Sequence, residues 1–193
     1  MLCVMHVKDG NEERAEQLIG DLLEDDTVEE CFHLTRLRRK KFGGEWRTIT
    51  ETLLPGYVFI ATEKPERLYR ELKKARGYAG GAAESGGRQD RVSENGGKYR
   101  LLGSSEEYVA ALESGETDFI EKIAGKGKRT GEIGLSFLKE NEDGRVTVLS
   151  GPLLSVKERV RKIDFHRRIA EVETEFLGEA RRVYLGVEFE DRL

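Results

Sequence analysis

Cysteine, proline and tryptophan are all scarce in this 193-residue chain, with two, three and one respectively. Two thiols, Cys3 and Cys31, cannot build the disulfide framework of a small secreted domain, and a reducing compartment would leave both free. No apolar run approaches the ~20 residues of a membrane-spanning helix, and no signal-peptide pattern follows Met1. The expectation is a cytoplasmic protein with no membrane partner. Charge of one sign is also missing: 36% of the residues are charged, yet the formal net charge is only −4. The chain is no polycation, so any nucleic-acid contact must come from local basic patches. Catalytic signatures are absent too. There is no Ser–His–acid pattern, no Walker-type phosphate loop and no Gly-x-Gly-x-x-Gly after a strand. The pairs Gly80-Gly81 and Gly86-Gly87 precede no apolar helix and read as loop. No enzyme, catalytic residue or cofactor is expected.

What is present begins with an apolar run, Leu2 to Val7, hydrophobic on both faces and therefore a candidate central strand. After a turn at Lys8–Asn11, the residues Ala15, Leu18, Ile19, Leu22 and Leu23 form one stripe of an amphipathic helix. Phe32, Leu34 and Leu37 open a strand that turns basic. Gly43-Gly44 signals a hairpin, and Trp46, Thr48, Thr50 and Thr52 alternate on the return. Tyr57 to Ala61 reads as a buried strand, and Pro65 as the first residue of a helix running to about Ala75, with Leu68 and Leu72 inward. Residues 77–97 are rich in glycine, small residues and charge, and read as a flexible insertion. Tyr99–Leu102 suggests a last strand, and Ser104–Glu107 a helix start leading into Tyr108, Val109 and Leu112. The sequence divides into a first domain over 1–114, a linker over 115–139 that includes the exposed run Gly125–Arg129, and a second domain over 140–193. That last part holds short alternating strands around Val146 and Val148, Val160 and Ile163, Ala170 to Phe176, and Val183 to Val187. Turn signals separate them, as in a small barrel.

Two basic clusters stand out. Arg36, Arg38, Arg39, Lys40, Lys41 and Arg47 surround the Gly43-Gly44 hairpin, with Trp46 beside them, which suits phosphate contact plus one stacking aromatic. The plainer reading is a solvated hairpin whose charges guard a strand edge. Arg159, Arg161, Lys162, His166, Arg167 and Arg168 follow one strand and its turn. They could read an RNA hairpin, or form an ordinary charged surface paired with Glu158, Glu171, Glu173 and Glu175. Cys3 with His6, and Cys31 with His33, superficially suggest a metal site. The first pair points to opposite faces of a strand and the second follows no zinc spacing, so no metal is expected.

The run Leu53-Leu54-Pro55-Gly56-Tyr57-Val58-Phe59-Ile60 resembles the LFPGYVF-type core segment of the NusG N-terminal (NGN) domain. Ser150-Gly151-Pro152-Leu153, followed by Lys162-Ile163-Asp164, resembles the opening of a KOW motif. Their order, and the order of elements around them, resembles NusG-type transcription elongation factors over nearly the whole chain apart from residues 77–97. The stretch from Gly151 to Ala170, with Phe176 and Gly178, is most similar to the specialised antitermination paralogs: LoaP first, then the UpxY and RfaH groups. Two departures are visible. Ser155 and Glu158 stand where the KOW motif usually has glycine, and the long insertion replaces a short Val-Pro-Gly-like connection.

The resemblance implies an α+β protein: an NGN-type α/β sandwich followed by a small SH3-like KOW β-barrel. It implies binding to the clamp helices of the largest RNA polymerase subunit, with Leu53, Leu54, Pro55 and Tyr57 helping to form the apolar seat and Tyr57 as the anchor. Alternation along the segment means about half of these residues fill the core instead. The family also implies loading by a nascent RNA hairpin or DNA, a KOW partner that is RNA, a ribosomal protein or a termination factor, and action as a monomer. The alternative is a general RNA-binding or ribosome-associated KOW protein with no polymerase contact. Binding to purified polymerase separates the two.

Overall fold

A computed structural model of the chain describes residues 1–23, 26–79, 99–100, 108–125 and 131–190. The protein is mixed α+β, with three helices and three sheets among the described residues. It divides into two units. The first takes Met1–His33 and Pro55–Glu113; the second takes Leu34–Leu54 and Ser114–Leu193.

In the first unit, β1 (Leu2–His6) lies at the middle of an antiparallel sheet, as its two apolar faces require. β5 (Tyr57–Ala61) pairs along one side of it, and β2 (Glu30–His33) adds beyond β5. On the other side come β7 (Tyr108–Ala111) and then β6 (Tyr99–Arg100). Every residue of β5 is buried. Cys3, Met5, Val58, Ile60 and Val109 share a core with Ile19 and Leu23 of the α1 region (α1 is Glu12–Leu22) and with Leu68 and Leu72 of α2 (Pro65–Ala79). On the opposite face Phe32 stacks on Phe59, ring centroids 5.5 Å apart.

Several sequence readings change here. Leu18 lies off the buried stripe and is exposed. Helix α2 runs past Ala75 to Ala79. Tyr108 and Val109 do not enter a helix: they belong to β7, because Val109 and Ala110 pair with Met5 and Val4 and are buried there. The proposed helix start at Ser104–Glu107 lies outside the described residues, as do most of the insertion (80–97) and the run 126–129.

The second unit begins with the hairpin. β3 (Thr35–Phe42) and β4 (Glu45–Thr52) join through Gly43 and Gly44, both at positive φ as the favoured two-residue turn demands. β3 also pairs in parallel with β8 (Glu132–Ile133). A second sheet has the order β10-β9-β13-β12-β11, made from β9 (Ser136–Glu140), β10 (Val146–Ser150), β11 (Val160–Asp164), β12 (Ile169–Phe176) and β13 (Glu179–Phe189). β13 pairs antiparallel with β12 and parallel with β9. Ala170, Val172, Thr174 and Phe176 of β12, with Val183, Leu185 and Val187 of β13, point into the core.

The stretch 115–139, read from sequence as linker, carries most of α3 (Ser114–Ala124), with β8 and the larger part of β9. Phe119, Ile120 and Ile123 bury one face of α3, and the buried Glu116 accepts a hydrogen bond from the Gly178 N–H at 3.1 Å. The hairpin, read with the first domain, belongs to the second unit for a long-range reason: β3 packs on β13 and pairs with β8. Among the described residues no helix is long and apolar enough to cross a membrane.

Candidate nucleic-acid interface

Strand alternation splits the hairpin cations between two faces. Arg36, Arg38 and Lys40 share one face with their cross-strand mates Glu51, Ile49 and Arg47. Arg39 and Lys41 share the other with Thr48 and Trp46. On the first face, Glu51 receives both Arg36 (2.9 Å) and Arg38 (3.2 Å). Burial pushes the Glu51 carboxyl up, but the hydrogen bonds from the two guanidinium groups outweigh it and hold its pKa below the usual value. Arg36 also donates to the Tyr184 carbonyl. The Nε groups of Arg36 and Arg38 are buried without a hydrogen-bond partner.

On the second face Arg39 is engaged inside the unit. Arg39 Nε lies 2.6 Å from Glu188 Oε2, a close charge contact without hydrogen-bond alignment, and its Nη1 donates to Thr48 Oγ1 at 3.0 Å. Arg168 pairs with the same Glu188 and lays its guanidinium over the Trp46 ring, 4.2 Å from the centroid. Trp46, expected as an open stacking platform, is thus half-buried and capped on one face. Lys40, Lys41 and Arg47 remain exposed at and near the tip.

The C-terminal cations divide in the same way. Arg159 turns over Phe119 and approaches Thr174, and Arg161 pairs with Glu173 at 2.7 Å across the strands, as the plainer reading had it. His166 is exposed. Lys162 and Arg167 face a groove of about 370 Å³, and there they meet Arg36 and Arg38. The structure therefore joins parts of two clusters that lie far apart in sequence.

The groove has a regular floor. Lys162, Glu171 and Tyr184 sit side by side across β11, β12 and β13, and Asp164, Ile169 and Gly186 form the next row. The hairpin strand β3 supplies the wall, and Gly186 lets it approach: a Cβ there would collide with the Leu37 carbonyl. Four cations line the groove against two carboxylates, Asp164 and Glu171. Asp164 accepts the Arg167 backbone N–H at 2.8 Å, which closes the β11–β12 turn and lowers the carboxyl pKa. Glu171 meets Arg182 at 3.3 Å. Such a trough suits phosphate oxygens, with cations from both sides and one aromatic on the floor. Tyr184 escaped the sequence reading. Its signal was present, since Val183, Leu185 and Val187 point inward and so set Tyr184 outward.

Of the apolar segment, Leu53, Leu54 and Tyr57 are buried and Pro55 alone is exposed. Leu54 sits at φ 56 and Gly56 at φ 82. The Gly56 N–H donates to the buried Glu12 carboxylate at 2.6 Å. Tyr57 packs against the His6 ring, 5.0 Å between centroids, and so cannot serve as an exposed anchor in this conformation. Gly151 adopts φ 91, and a Cβ there would lie 2.6 Å from the Ser136 Cα. Pro152 opens a 3-10 turn (Pro152–Ser155) that a second one (Lys157–Arg159) follows. Ser155 and Glu158 take ordinary negative φ within these turns, so the missing glycines cost no strain. Cys3 and Cys31 flank Ile60 on neighbouring strands.

No known family model matches this chain, and no curated protein matches it.

Proposed function

We propose that this protein is a non-enzymatic transcription elongation factor of the NusG type, a specialised antiterminator most like LoaP, whose second unit contacts nucleic acid. The observation that carries the reading is the convergence of Arg36 and Arg38 from the hairpin with Lys162 and Arg167 from the β11 region around one groove. The positive-φ Gly151 ahead of Pro152 supports a KOW-type turn, and the buried β5 supports an NGN-type sheet. In this reading the first unit docks on the polymerase clamp helices. The factor acts by binding energy alone: favouring one polymerase conformation by about 1–3 kcal/mol shifts a pausing equilibrium five- to a hundredfold or so.

The test is reconstituted transcription across an intrinsic terminator, with and without a leader hairpin upstream. Readthrough that depends on the hairpin supports an RNA-loaded antiterminator. Altered pausing on both templates supports a general NusG-like factor. A second reading, an RNA-binding or ribosome-associated protein without polymerase contact, is favoured by the burial of Leu53, Leu54 and Tyr57. It gains the ground if purified polymerase fails to bind the chain and neither template responds.

A further inference from the structure

The groove contains more than phosphate binding requires. A surface built only for a sugar–phosphate backbone gains nothing from a carboxylate on its floor, because that charge repels the ligand. Yet Glu171 lies directly opposite Tyr184 on β12 and β13, with Lys162 on its other side in β11. Directly paired positions on neighbouring strands put their side chains on one face, close together. The floor thus presents, in sequence across three strands, an ammonium group, a carboxylate and a phenol ring. Arg36 and Arg38 line the same groove, their guanidinium groups shared with Glu51.

We infer that this groove holds one unpaired guanine nucleotide; the inference rests on the nucleic-acid reading of the groove given above. The base stacks on Tyr184, which is 37% exposed and has no aromatic ring stacked on it among the described residues. Glu171 then faces the Watson–Crick edge. Guanine presents two adjacent donors there, the ring N1–H and the exocyclic N2–H, and a carboxylate accepts both. Adenine and cytosine each offer one amino donor beside a ring acceptor, and uracil a single N–H between two carbonyls, so the carboxylate meets a lone pair with each of them. Glu171 Oε1 also meets Arg182 Nε, a 64% exposed partner; each carboxylate oxygen accepts two hydrogen bonds, so both oxygens can still receive the guanine donors. Lys162, Arg36 and Arg38 take the flanking phosphates. A groove of about 370 Å³ falls within the ~300–1,000 Å³ of small-ligand sites. The base must be unpaired, because a paired guanine has both donors occupied.

The experiment is fluorescence anisotropy with the full chain and labelled heptamers: all-uridine, the same with one central guanosine, and the same with inosine there, which lacks the N2 amino group. Deoxyribose versions form a second series. We expect guanosine to bind about tenfold tighter than uridine, with inosine between. Glu171→Gln should abolish the preference while keeping the uridine heptamer bound. Tyr184→Ala should weaken every heptamer about tenfold, and Tyr184→Phe should restore binding. A denaturant midpoint for each variant separates loss of recognition from loss of fold. Preference in either sugar series upholds the assignment, and the tighter series identifies RNA or single-stranded DNA as its source. Equal binding of guanosine and uridine, or a preference that survives Glu171→Gln, overturns the guanine assignment and leaves the phosphate-binding groove standing. Failure of the wild-type chain to bind any heptamer removes both.

Discussion

Gly186 lies against the backbone of β3: a Cβ built on it would strike the Leu37 carbonyl oxygen and come within 3.1 Å of the Arg38 Cα. Backbone meets backbone here, so neither side can yield by turning a side chain. Gly186→Ala should force β3 off the sheet and destabilise the second unit by about 1–3 kcal/mol. Chemical denaturation monitored by Trp46 fluorescence measures this, since Trp46 sits on the same hairpin. Nucleic-acid binding should fall with it, because Arg36 and Arg38 would leave Lys162 and Arg167. A variant with wild-type stability and binding would show that the hairpin does not depend on this contact.

Salt dependence should identify which cations act on phosphate. Arg36, Arg38 and Arg39 are engaged with Glu51 and Glu188, so reversing them damages the unit as well as the surface. Lys162 and Arg167 are exposed. Lys162→Glu with Arg167→Glu should leave folding intact and reduce the slope of log affinity against log salt by about 1–2 units. An unchanged slope would remove the groove from the binding surface.

The Pro55–Tyr57 turn predicts an acid-sensitive stability. Burial raises the Glu12 carboxyl pKa, but hydrogen bonds led by the Gly56 N–H outweigh it and leave the value below the ordinary 4.5. A depressed carboxylate stabilises the fold fully above its unfolded pKa and loses that contribution as pH falls through the native pKa. Glu12→Gln should therefore cost about 1–3 kcal/mol at neutral pH, with the gap to wild type closing below about pH 4.5. Urea midpoints at several pH values check this. A gap of constant size across the range would mean that the charge contributes nothing.

Tyr57 and Pro55 should separate folding from docking. Tyr57 is buried against His6, so Tyr57→Ala should destabilise the first unit by roughly 3–5 kcal/mol, the range of large aromatic truncations. Weak polymerase binding by that variant would say little about an interface. Pro55 is exposed, and Pro55→Ala is the cleaner probe. Reduced polymerase association at unchanged thermal stability supports a contact there. Unchanged association with both residues probed would leave the seat to be sought elsewhere.

Both thiols should be slow to react. Desolvation raises the Cys3 pKa to about 11 and the Cys31 pKa to about 12, with the negative Glu16 adding to the second. Neither forms much thiolate at neutral pH. A chromogenic disulfide reagent in mildly alkaline buffer should report two thiols in denaturant and almost none in the native chain. Fast native labelling of Cys31 would contradict its shielding.

Local signals made much of the fold legible. The two-sided apolar run placed β1 at the centre of its sheet, Gly43-Gly44 fixed a hairpin, Pro65 marked the start of α2, and alternation gave the inward faces of β12 and β13. Errors arose where distant pairing overrode local pattern. Tyr108 and Val109 carried no sign that β1 would recruit them into a sheet. The hairpin gave no hint that β8 and β13, far along the chain, would claim it. The buried triplet Phe119, Ile120 and Ile123 did carry a helical spacing, which the glycine and lysine around it obscured. The groove could not have been read at all: Arg36 and Tyr184 are separated by 148 positions, and only the folded unit makes them neighbours.

The second unit draws on stretches of chain that are made at well-separated times. Residues 34–54 leave the ribosome long before β13, at residues 179–189, against which β3 packs. At the usual pace of synthesis the hairpin waits on the order of ten seconds for that partner. During that interval Glu51, on the hairpin itself, can answer only Arg36 and Arg38, and Glu188 is not yet available to Arg39, so the nascent hairpin carries an excess of positive charge. Ribosomal RNA is the nearest polyanion to it. β13, made well over a hundred residues after the hairpin, is thus the strand that would release it from its birthplace.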